Sequence, residues 1–310
     1  MSEPVPYGSA TAVEAAIREA ARRASIHNRS TPISAHIRQE HFRRFLSRVF
    51  SEGEQSEWLL KGGTGMLARV PAARATKDVD LYRSGFSLNE ALVDLRRLAS
   101  VDLGDHFHFV YAGHTATLGG GDQPYTDGFR VVFDAYVGAQ KRSQVKVDLV
   151  VGTGLTTQPT LQAPANGLPL PRLVSHDYRL YPVVDQIADK VCATMMMYSG
   201  RPSSREKDLI DLVVLAVTQP VNGSELGRAI RFETRRRRLD TIRTFNIPTA
   251  WGSSYAAMAK EIPLCSDFRT IDQATKLASA FLDPVLTRPV TSIQWSPQER
   301  QWVPAPRTSG

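Results

Sequence analysis

The sequence predicts an α+β protein in which a mixed sheet flanked by helices comes first and a helical domain follows. Three segments alternate apolar with polar residues and are rich in aromatic and β-branched side chains, at about residues 106–111, 129–136 and 145–151. This pattern is typical of half-buried strands. From residue 183 onward the strand signals fade and apolar residues recur at helical spacing. We therefore expect a domain boundary near residue 180.

The boundary divides the chain into three predicted regions. Residues 1–180 form the α/β domain and residues 181–283 form the helical domain. Beyond residue 283 prolines are frequent, and they predict an extended or disordered tail over residues 284–310. These prolines are Pro284, Pro289, Pro297, Pro304 and Pro306.

Composition narrows the class of protein. The chain has 310 residues, of which 42% are hydrophobic and 22% charged, enough to bury a substantial core. A net charge of +7 favours polyanionic partners such as nucleic acids or nucleotides. Cys192 and Cys265 belong to no CxxC or Cys/His pattern, which argues against a disulfide framework or a structural zinc site. The N-terminus lacks the pattern of a signal peptide and no apolar run could span a bilayer, so we expect a cytoplasmic protein without a membrane partner.

Two helices are predicted before the first strand. Residues 10–24 are rich in alanine, and residues 37–50 place apolar side chains at helical spacing. We expect the arginines of the second helix to form a solvated basic face; contact with RNA is the alternative, which a count of charges does not support by itself. These arginines are Arg38, Arg43, Arg44 and Arg48.

The stretch Lys61–Leu81, KGGTGMLARVPAARATKDVDL, organises the rest of the chain. A strand at about 57–61 leads into Gly62 and Gly63, then a short helix, then a strand at about 77–82. Asp78 and Asp80 alternate on that last strand, so their carboxylates are predicted to share a face. Two like charges that close repel each other, and a chain that places them there usually has a cation to hold. The stretch therefore predicts a metal-assisted phosphate site.

A third carboxylate, Asp148, lies on the predicted strand 145–151, after a helix at 87–99 for which Ser87 is a suitable N-cap. A carboxylate cluster is the usual ligand of the two Mg²⁺ ions that assist phosphoryl and nucleotidyl transfer. Paired glycines let the backbone approach a triphosphate, and the following helix start favours an anion. Either an Asp-x-Asp pair or a Gly-Gly turn alone is commonplace and compatible with a structural role. Their order along the chain, followed by the third aspartate, favours the catalytic interpretation.

Four motifs in this order resemble those of the DNA polymerase β-like nucleotidyltransferase superfamily. More narrowly, they are similar to the AbiEii/AbiGii-type toxins, which include the MenT-like toxins. The motifs are Gly62-Gly63-Thr64 with Arg74, the segment 77–81 (KDVDL), the segment 185–191 (DQIADKV) and the segment 201–212 (RPSSREKDLIDL). The resemblance spans residues 55–215. It departs from the family at Gly65-Met66, where Ala-Leu is frequent, and at Asp185, where Glu is common.

The resemblance implies a nucleotidyltransferase fold and the toxin of a two-gene toxin–antitoxin pair, which adds nucleotides from an NTP to RNA. The tRNA 3′ acceptor end is the expected substrate, a block of translation and growth the expected effect, and a cognate antitoxin the expected protein partner. Alternatives are an antibiotic-modifying nucleotidyltransferase and a nucleotide- or RNA-binding module without transfer activity. When the family's roles are transferred by position, the expected Mg²⁺ ligands are Asp78, Asp80 and Asp148. The residues expected to bind the NTP are Gly62, Gly63, Thr64, Arg74, Lys190 and Asp208. The residues expected to act in catalysis are Asp78, Asp80, Asp148, Lys190 and Asp211.

Two features allow more than one interpretation. Asp208 and Asp211 lie three residues apart and are predicted to share a helix face, where they would either complete the site or form salt bridges with neighbouring cations. Asp208 could instead orient Lys190. The run Arg235–Arg238 surrounds its helix, so its members cannot all face one partner, although some could contribute to a phosphate-binding surface.

Overall fold

The computed structural model describes residues 5–27, 31–74, 76–116, 128–152, 154–165, 167–198, 200–287 and 290–306. The chain divides into two compact units. The first consists of residues 1–71, 75–154 and 159–180, and the second of residues 72–74, 155–158 and 181–310. Within the described residues, no helix is long and apolar enough to cross a membrane.

A seven-stranded mixed sheet forms the centre of the first unit. Its strands are β1 (Trp58–Lys61), β2 (Val79–Ser84), β3 (Phe107–Ala116), β4 (Gly128–Val137), β5 (Gln140–Gly152), β6 (Thr160–Gln162) and β7 (Tyr178–Leu180). Their order across the sheet is β3-β4-β5-β2-β1-β7-β6. The β2–β5 and β1–β7 pairs are parallel, and the remaining neighbours are antiparallel. The expected mixed sheet is therefore confirmed, with β6 and β7 added to it.

Four helices accompany this sheet: α1 (Ala10–His27), α2 (Ile33–Val49), α3 (Gly62–Arg69) and α4 (Leu88–Ala99). The helix α2 contacts α1, α4 and β5, and its buried apolar side chains join the core that covers the sheet. Phe45 lies at the centre of this core, with ring centroids 5.3 Å from Phe109 and 5.1 Å from Phe133. Ser87 caps α4 as predicted, because it accepts a hydrogen bond from the Glu90 amide while the Glu90 side chain accepts one from the Ser87 amide.

The prediction of a solvated basic face on α2 is wrong for Arg44 and Arg48, which are buried. Arg44 pairs with Glu40 at 2.8 Å within the helix. Arg48 donates two hydrogen bonds to Asp105, of 2.6 and 3.0 Å. Burying an arginine requires a partner that offsets its lost hydration. Asp105 is 57 residues away along the chain, and for this reason helical spacing gave no indication of it.

The second unit is mainly helical. It contains α5 (Val183–Met195), α6 (Glu206–Thr218), α7 (Gly223–Arg236), α8 (Gly252–Ala259) and α9 (Ile271–Thr287). Two short sheets accompany them: β8 (Met197–Tyr198) with β9 (Arg201–Pro202), and β10 (Val221–Asn222) with β11 (Ile293–Ser296) and β12 (Gln301–Pro304). The expected fold class, an α/β part followed by a helical part, is confirmed.

The predicted extended or disordered tail is wrong for the residues described after 283. Pro284 lies within α9, and β11 and β12 form an antiparallel hairpin whose first strand pairs with β10. Trp295 is fully buried, its indole Nε1 donates to the Ala216 carbonyl oxygen at 2.6 Å, and its ring lies 4.8 Å from that of Phe281. Aromatic burial thus outweighs the local preference of the prolines for extended chain.

Candidate active site

Two of the three predicted carboxylates lie side by side in the sheet of the first unit. Asp80 on β2 and Asp148 on β5 are register partners on adjacent parallel strands. Neighbouring strands are about 4.8 Å apart, so the two side chains belong to one local cluster. Asp78 was predicted to lie on the strand, but β2 begins at Val79, and Asp78 occupies the bend before it. All three aspartates are half-buried.

The threonines near Asp78 fix its backbone. The Thr64 hydroxyl donates to the Asp78 carbonyl oxygen at 2.7 Å, and the Thr76 hydroxyl donates to the same oxygen at 3.2 Å. Thr64 was predicted to bind the NTP. In the structure its hydroxyl is engaged in anchoring the chain at the point where the aspartate pair begins.

Gly62 and Gly63 lie directly against Asp80. Gly62 has φ +59°, a left-handed conformation that favours glycine, and a Cβ there would come within 2.1 Å of the Asp80 Oδ2 atom. The Gly63 amide donates a hydrogen bond of 3.2 Å to that same oxygen. The paired glycines therefore provide the space and one of the donors that hold the Asp80 carboxylate.

Arg130 on β4 joins the carboxylate cluster, and sequence reasoning did not identify it. It is the register partner of Asp148, to which it donates two hydrogen bonds of 2.8 and 2.9 Å. These bonds and the charge of Asp148 raise the pKa of the guanidinium against the effect of burial, and the charges of Asp78 and Asp80 add to the increase. One cation therefore interacts with all three carboxylates. Because β4 also carries Asp134, the sequence of the strand gave no signal that singles out Arg130.

The donor chemistry of the cluster suits Mg²⁺. Within the described residues, no three carboxylate, histidine or cysteine side chains converge closely enough to hold a metal ion by themselves. Mg²⁺, however, usually binds through one or two carboxylates and completes its shell with water and substrate phosphates. Asp78 and Asp80 can supply these two carboxylates. Gly62 has no side chain, and the Asp80 carboxylate occupies the space that a Cβ would fill. Asp148 is engaged by Arg130.

A second polar cluster, within the second unit, contains the other predicted residues. The Lys190 Nζ atom on α5 donates to Asp211 at 2.5 Å and to Asp208 at 3.2 Å. Arg74 donates two hydrogen bonds of 2.9 Å to the two Asp211 carboxylate oxygens, and Arg205 pairs with Asp208 at 2.5 Å. Asp208 and Asp211 share a face of α6, as their spacing predicts.

The electrostatics of this cluster favour the charged forms of Lys190 and Asp208. Burial opposes the charge on Lys190, but Asp211 and Asp208 outweigh it and raise the pKa of the ammonium group. Burial likewise opposes the charge on Asp208, but Lys190 and Arg205 outweigh it and hold the pKa of the carboxyl below its ordinary value. Three cations face two carboxylates, which leaves one net positive charge. Such a cluster can orient an ammonium group and attract an anion.

Asp185, the point where the chain departs from the family motif, has a local structural role. It lies in the first turn of α5, and its carboxylate accepts hydrogen bonds from the Thr156 amide and hydroxyl. Burial raises the pKa of this carboxyl. Gly65, the other departure, leaves no room for the usual alanine, because a Cβ would lie 2.9 Å from the Leu60 carbonyl oxygen.

A mixed sheet with Gly62 and Gly63 against Asp80, Asp78 just before that strand and Asp148 on the adjacent strand is the arrangement that the resemblance to nucleotidyltransferases predicts. The family described as nucleotidyl transferase AbiEii toxins of type IV toxin–antitoxin systems matches residues 44–289, and the chain belongs to this family. This finding confirms the resemblance that the four motifs indicated.

Two solved structures are similar to this chain, and the first of them shares its fold. The nucleotidyltransferase toxin MenT4 from Mycobacterium tuberculosis H37Rv aligns with a TM-score of 0.52 and 15% identity, over 87% of this chain and 97% of that chain. JHP933 from Helicobacter pylori aligns with a TM-score of 0.43 and 13% identity, over 82% of this chain and 92% of that chain. No curated protein matches the chain.

Proposed function

We propose that this protein is a Mg²⁺-dependent toxin that transfers nucleotides from an NTP to RNA, with the 3′ acceptor end of tRNA as the substrate. One observation carries the proposal: Asp80 and Asp148 are register neighbours on parallel strands, with Asp78 just before them and the Gly62–Gly63 turn against Asp80. Membership of the AbiEii toxin family supports it. The reaction needs NTP and RNA together, which is consistent with action in the cytoplasm and a block of translation and growth.

The residues of the first unit would divide the chemistry between them. The 3′-hydroxyl oxygen of the RNA attacks the α-phosphorus, the bond to the β-phosphate oxygen breaks, and pyrophosphate leaves. Asp78 and Asp80 would hold Mg²⁺, which supplies neutralising charge to the phosphates when bound. Asp148, oriented by Arg130, would accept a hydrogen bond from the attacking hydroxyl. That Asp148 also binds the metal stays a prediction.

The roles of the second cluster rest on the family resemblance. Contact between Lys190 and the triphosphate, with Arg74 and Asp208 also binding the NTP, stays a prediction. The two carboxylates that hold the Lys190 ammonium support a positioning role for Asp208 and Asp211. A type IV family further implies a cognate antitoxin, and we propose that an adjacent gene encodes it.

Incubation of the protein with Mg²⁺, total tRNA and each α-labelled NTP in turn tests this function. We expect labelled tRNA with at least one NTP. The Asp80→Asn variant should lose the label because it removes the metal-binding charge, while its remaining oxygen can still accept the Gly63 hydrogen bond and preserve the fold. Asp134→Asn on β4 is the matched control and should retain activity, since among the described residues the Asp134 carboxylate accepts hydrogen bonds only from Lys141 and Gln144.

Two outcomes would contradict the proposal. The first is the absence of label with all four NTPs, which would favour a binding module. The second is transfer from γ-labelled but not α-labelled NTP, which would identify a phosphotransferase. Label that persists undiminished in Asp80→Asn would separately refute the assignment of the site.

A further inference from the structure

The helix α7 carries a stripe of exposed arginines. Arg228, Arg231 and Arg235 are exposed, and their 3- and 4-residue spacing confines them to an arc of about 60° on the helix. The same arc also contains Ser224 and no carboxylate of α7, so the stripe is not interrupted by a negative charge. Seven residues of helix separate its ends, which corresponds to about 10 Å.

The arginines of the run Arg235–Arg238 therefore fall into two groups, one that points inward and one that is exposed. Arg236 and Arg237 turn inward, where both pair with Glu233 and with Asp189. In the part of the chain that the structure describes, Arg231 and Arg235 form no ion pair, and Arg228 donates only one long hydrogen bond, of 3.3 Å, to the Thr156 carbonyl oxygen. The inward arginines stabilise the helix, whereas the outward ones remain available to a ligand.

Arg238 extends this basic surface at a conformational cost. It follows the end of α7 with φ +54°, and its amide donates to the Arg235 carbonyl oxygen while the Leu239 amide donates to Thr234. This is the hydrogen-bond pattern of a Schellman C-cap, in which glycine is strongly preferred at the left-handed position. The left-handed backbone of an arginine at this position costs folding free energy that glycine would not, so a functional reason for its charge is indicated.

We propose that Arg228, Arg231, Arg235 and Arg238 form a binding surface for the phosphate backbone of RNA. Uninterrupted, flexible cations suit a polyanion with regularly spaced charges. A protein partner would be expected to bind through an apolar or aromatic anchor. None of the exposed large hydrophobic residues in the described chain belongs to α7. This inference rests on the proposed function, because it identifies the surface that would hold the RNA acceptor.

The test is the affinity for tRNA, measured at several salt concentrations without NTP. The triple variant Arg228→Gln, Arg231→Gln, Arg235→Gln should bind roughly 10- to 100-fold more weakly near 0.15 M salt, and its slope of log K against log salt should become shallower by about 2 to 3. The control is the triple variant Arg18→Gln, Arg22→Gln, Arg23→Gln on α1, which removes the same charge from another exposed helix and should retain most of the affinity and slope.

Arg238→Gly separates binding from folding. It should weaken tRNA binding while raising the melting temperature by roughly 2 °C, because glycine relieves the left-handed backbone. A general loss of structure cannot produce weaker binding together with higher stability.

Three results would overturn the inference. The first is unchanged tRNA affinity in the α7 variants, and the second is an equal loss of affinity in the α1 control. The third is that poly-L-glutamate binds as tightly as tRNA and that its binding is equally sensitive to the α7 changes. The last result would assign the surface to an acidic protein. Failure of the proposed function is distinguishable, since it would abolish NTP labelling while leaving stripe-dependent tRNA binding intact. If both proposals hold, the α7 variants should raise the KM for tRNA and leave kcat nearly unchanged.

Discussion

Arg130 determines how charge is shared among the three carboxylates of the first unit. Its guanidinium forms two hydrogen bonds with Asp148 and interacts electrostatically with Asp78 and Asp80. A divalent cation bound by the same cluster would compete with this built-in cation for Asp148. The arginine thus favours separate roles for the three carboxylates, in which Asp78 and Asp80 bind the metal and Asp148 makes a different contact.

Replacing Arg130 with methionine should strengthen divalent metal binding. The variant removes the competing positive charge while keeping a long side chain on β4. Because the guanidinium is partly exposed, the pair contributes about 1 kcal/mol, which corresponds to roughly fivefold tighter binding. Titration with Mn²⁺, followed by the electron paramagnetic resonance signal of the free ion, measures this directly.

The double variant Arg130→Met, Asp148→Asn is the control for that experiment. If the gain arises from freeing Asp148, the second change should cancel it. Equal or weaker Mn²⁺ affinity in Arg130→Met would mean that the arginine does not compete with the metal.

At the scale of single residues, the sequence proposes which side chains belong to the site, but it does not indicate which atoms they contact. Gly62 was predicted to let the backbone approach a triphosphate, whereas in the structure the Asp80 carboxylate lies against it. Arg130 could not be predicted, because its pairing with Asp148 depends on the register of β4 against β5. Register depends on contacts between distant parts of the chain, which a single sequence does not display.

Among the elements, the hairpin of β11 and β12 departs most from the sequence-based prediction. Its residues do not extend freely, because Trp295 is fully buried between Phe281 and the Ala216 carbonyl oxygen. The prolines occupy positions that tolerate them: Pro297 follows β11, and Pro304 ends β12. By contrast, helices with strong local signals, such as α4 with its capping box, were predicted to within a residue or two.

Trp295→Ala should therefore lower the free energy of unfolding by about 3–5 kcal/mol, as for other buried aromatic residues. Urea-induced unfolding followed by circular dichroism measures the loss. Trp302→Ala on the neighbouring strand is the matched control, and its cost should be smaller since Trp302 is only half-buried. Values near zero for both variants would restore the interpretation of this segment as a dispensable tail.

For the molecule as a whole, the net charge of +7 does not describe how the cations are used. Arg44 and Arg48 are buried in ion pairs within the first unit, and Arg236 and Arg237 are paired within the second. The arginines at 228, 231 and 235 remain exposed. Composition alone therefore predicts a polyanionic partner, but only burial and ion pairing distinguish structural cations from those available for binding.

The stability of the whole protein should also depend on His41. Its ring is buried on α2, with Nδ1 2.8 Å from the Ser143 hydroxyl oxygen and the ring edge-on to Phe107. Burial lowers the pKa of His41 to about 4, an effect that Glu14 opposes and Arg142 adds to. In the unfolded chain the pKa is about 6.5. Between these values the unfolded chain binds a proton that the folded protein does not.

Stability from this residue is consequently complete above pH 6.5, falls as the pH decreases towards 4, and changes no further below that. At about 1.4 kcal/mol per pH unit, the wild type should lose roughly 2 kcal/mol between pH 7.5 and pH 5 through His41 alone. Urea unfolding of wild type and His41→Gln at both pH values measures it, because glutamine can retain the hydrogen bond to Ser143 without titrating. The variant should lose less stability than the wild type on acidification, whereas exposed His108→Gln should behave as the wild type does. Parallel losses in wild type and His41→Gln would show that the acid sensitivity arises from other groups.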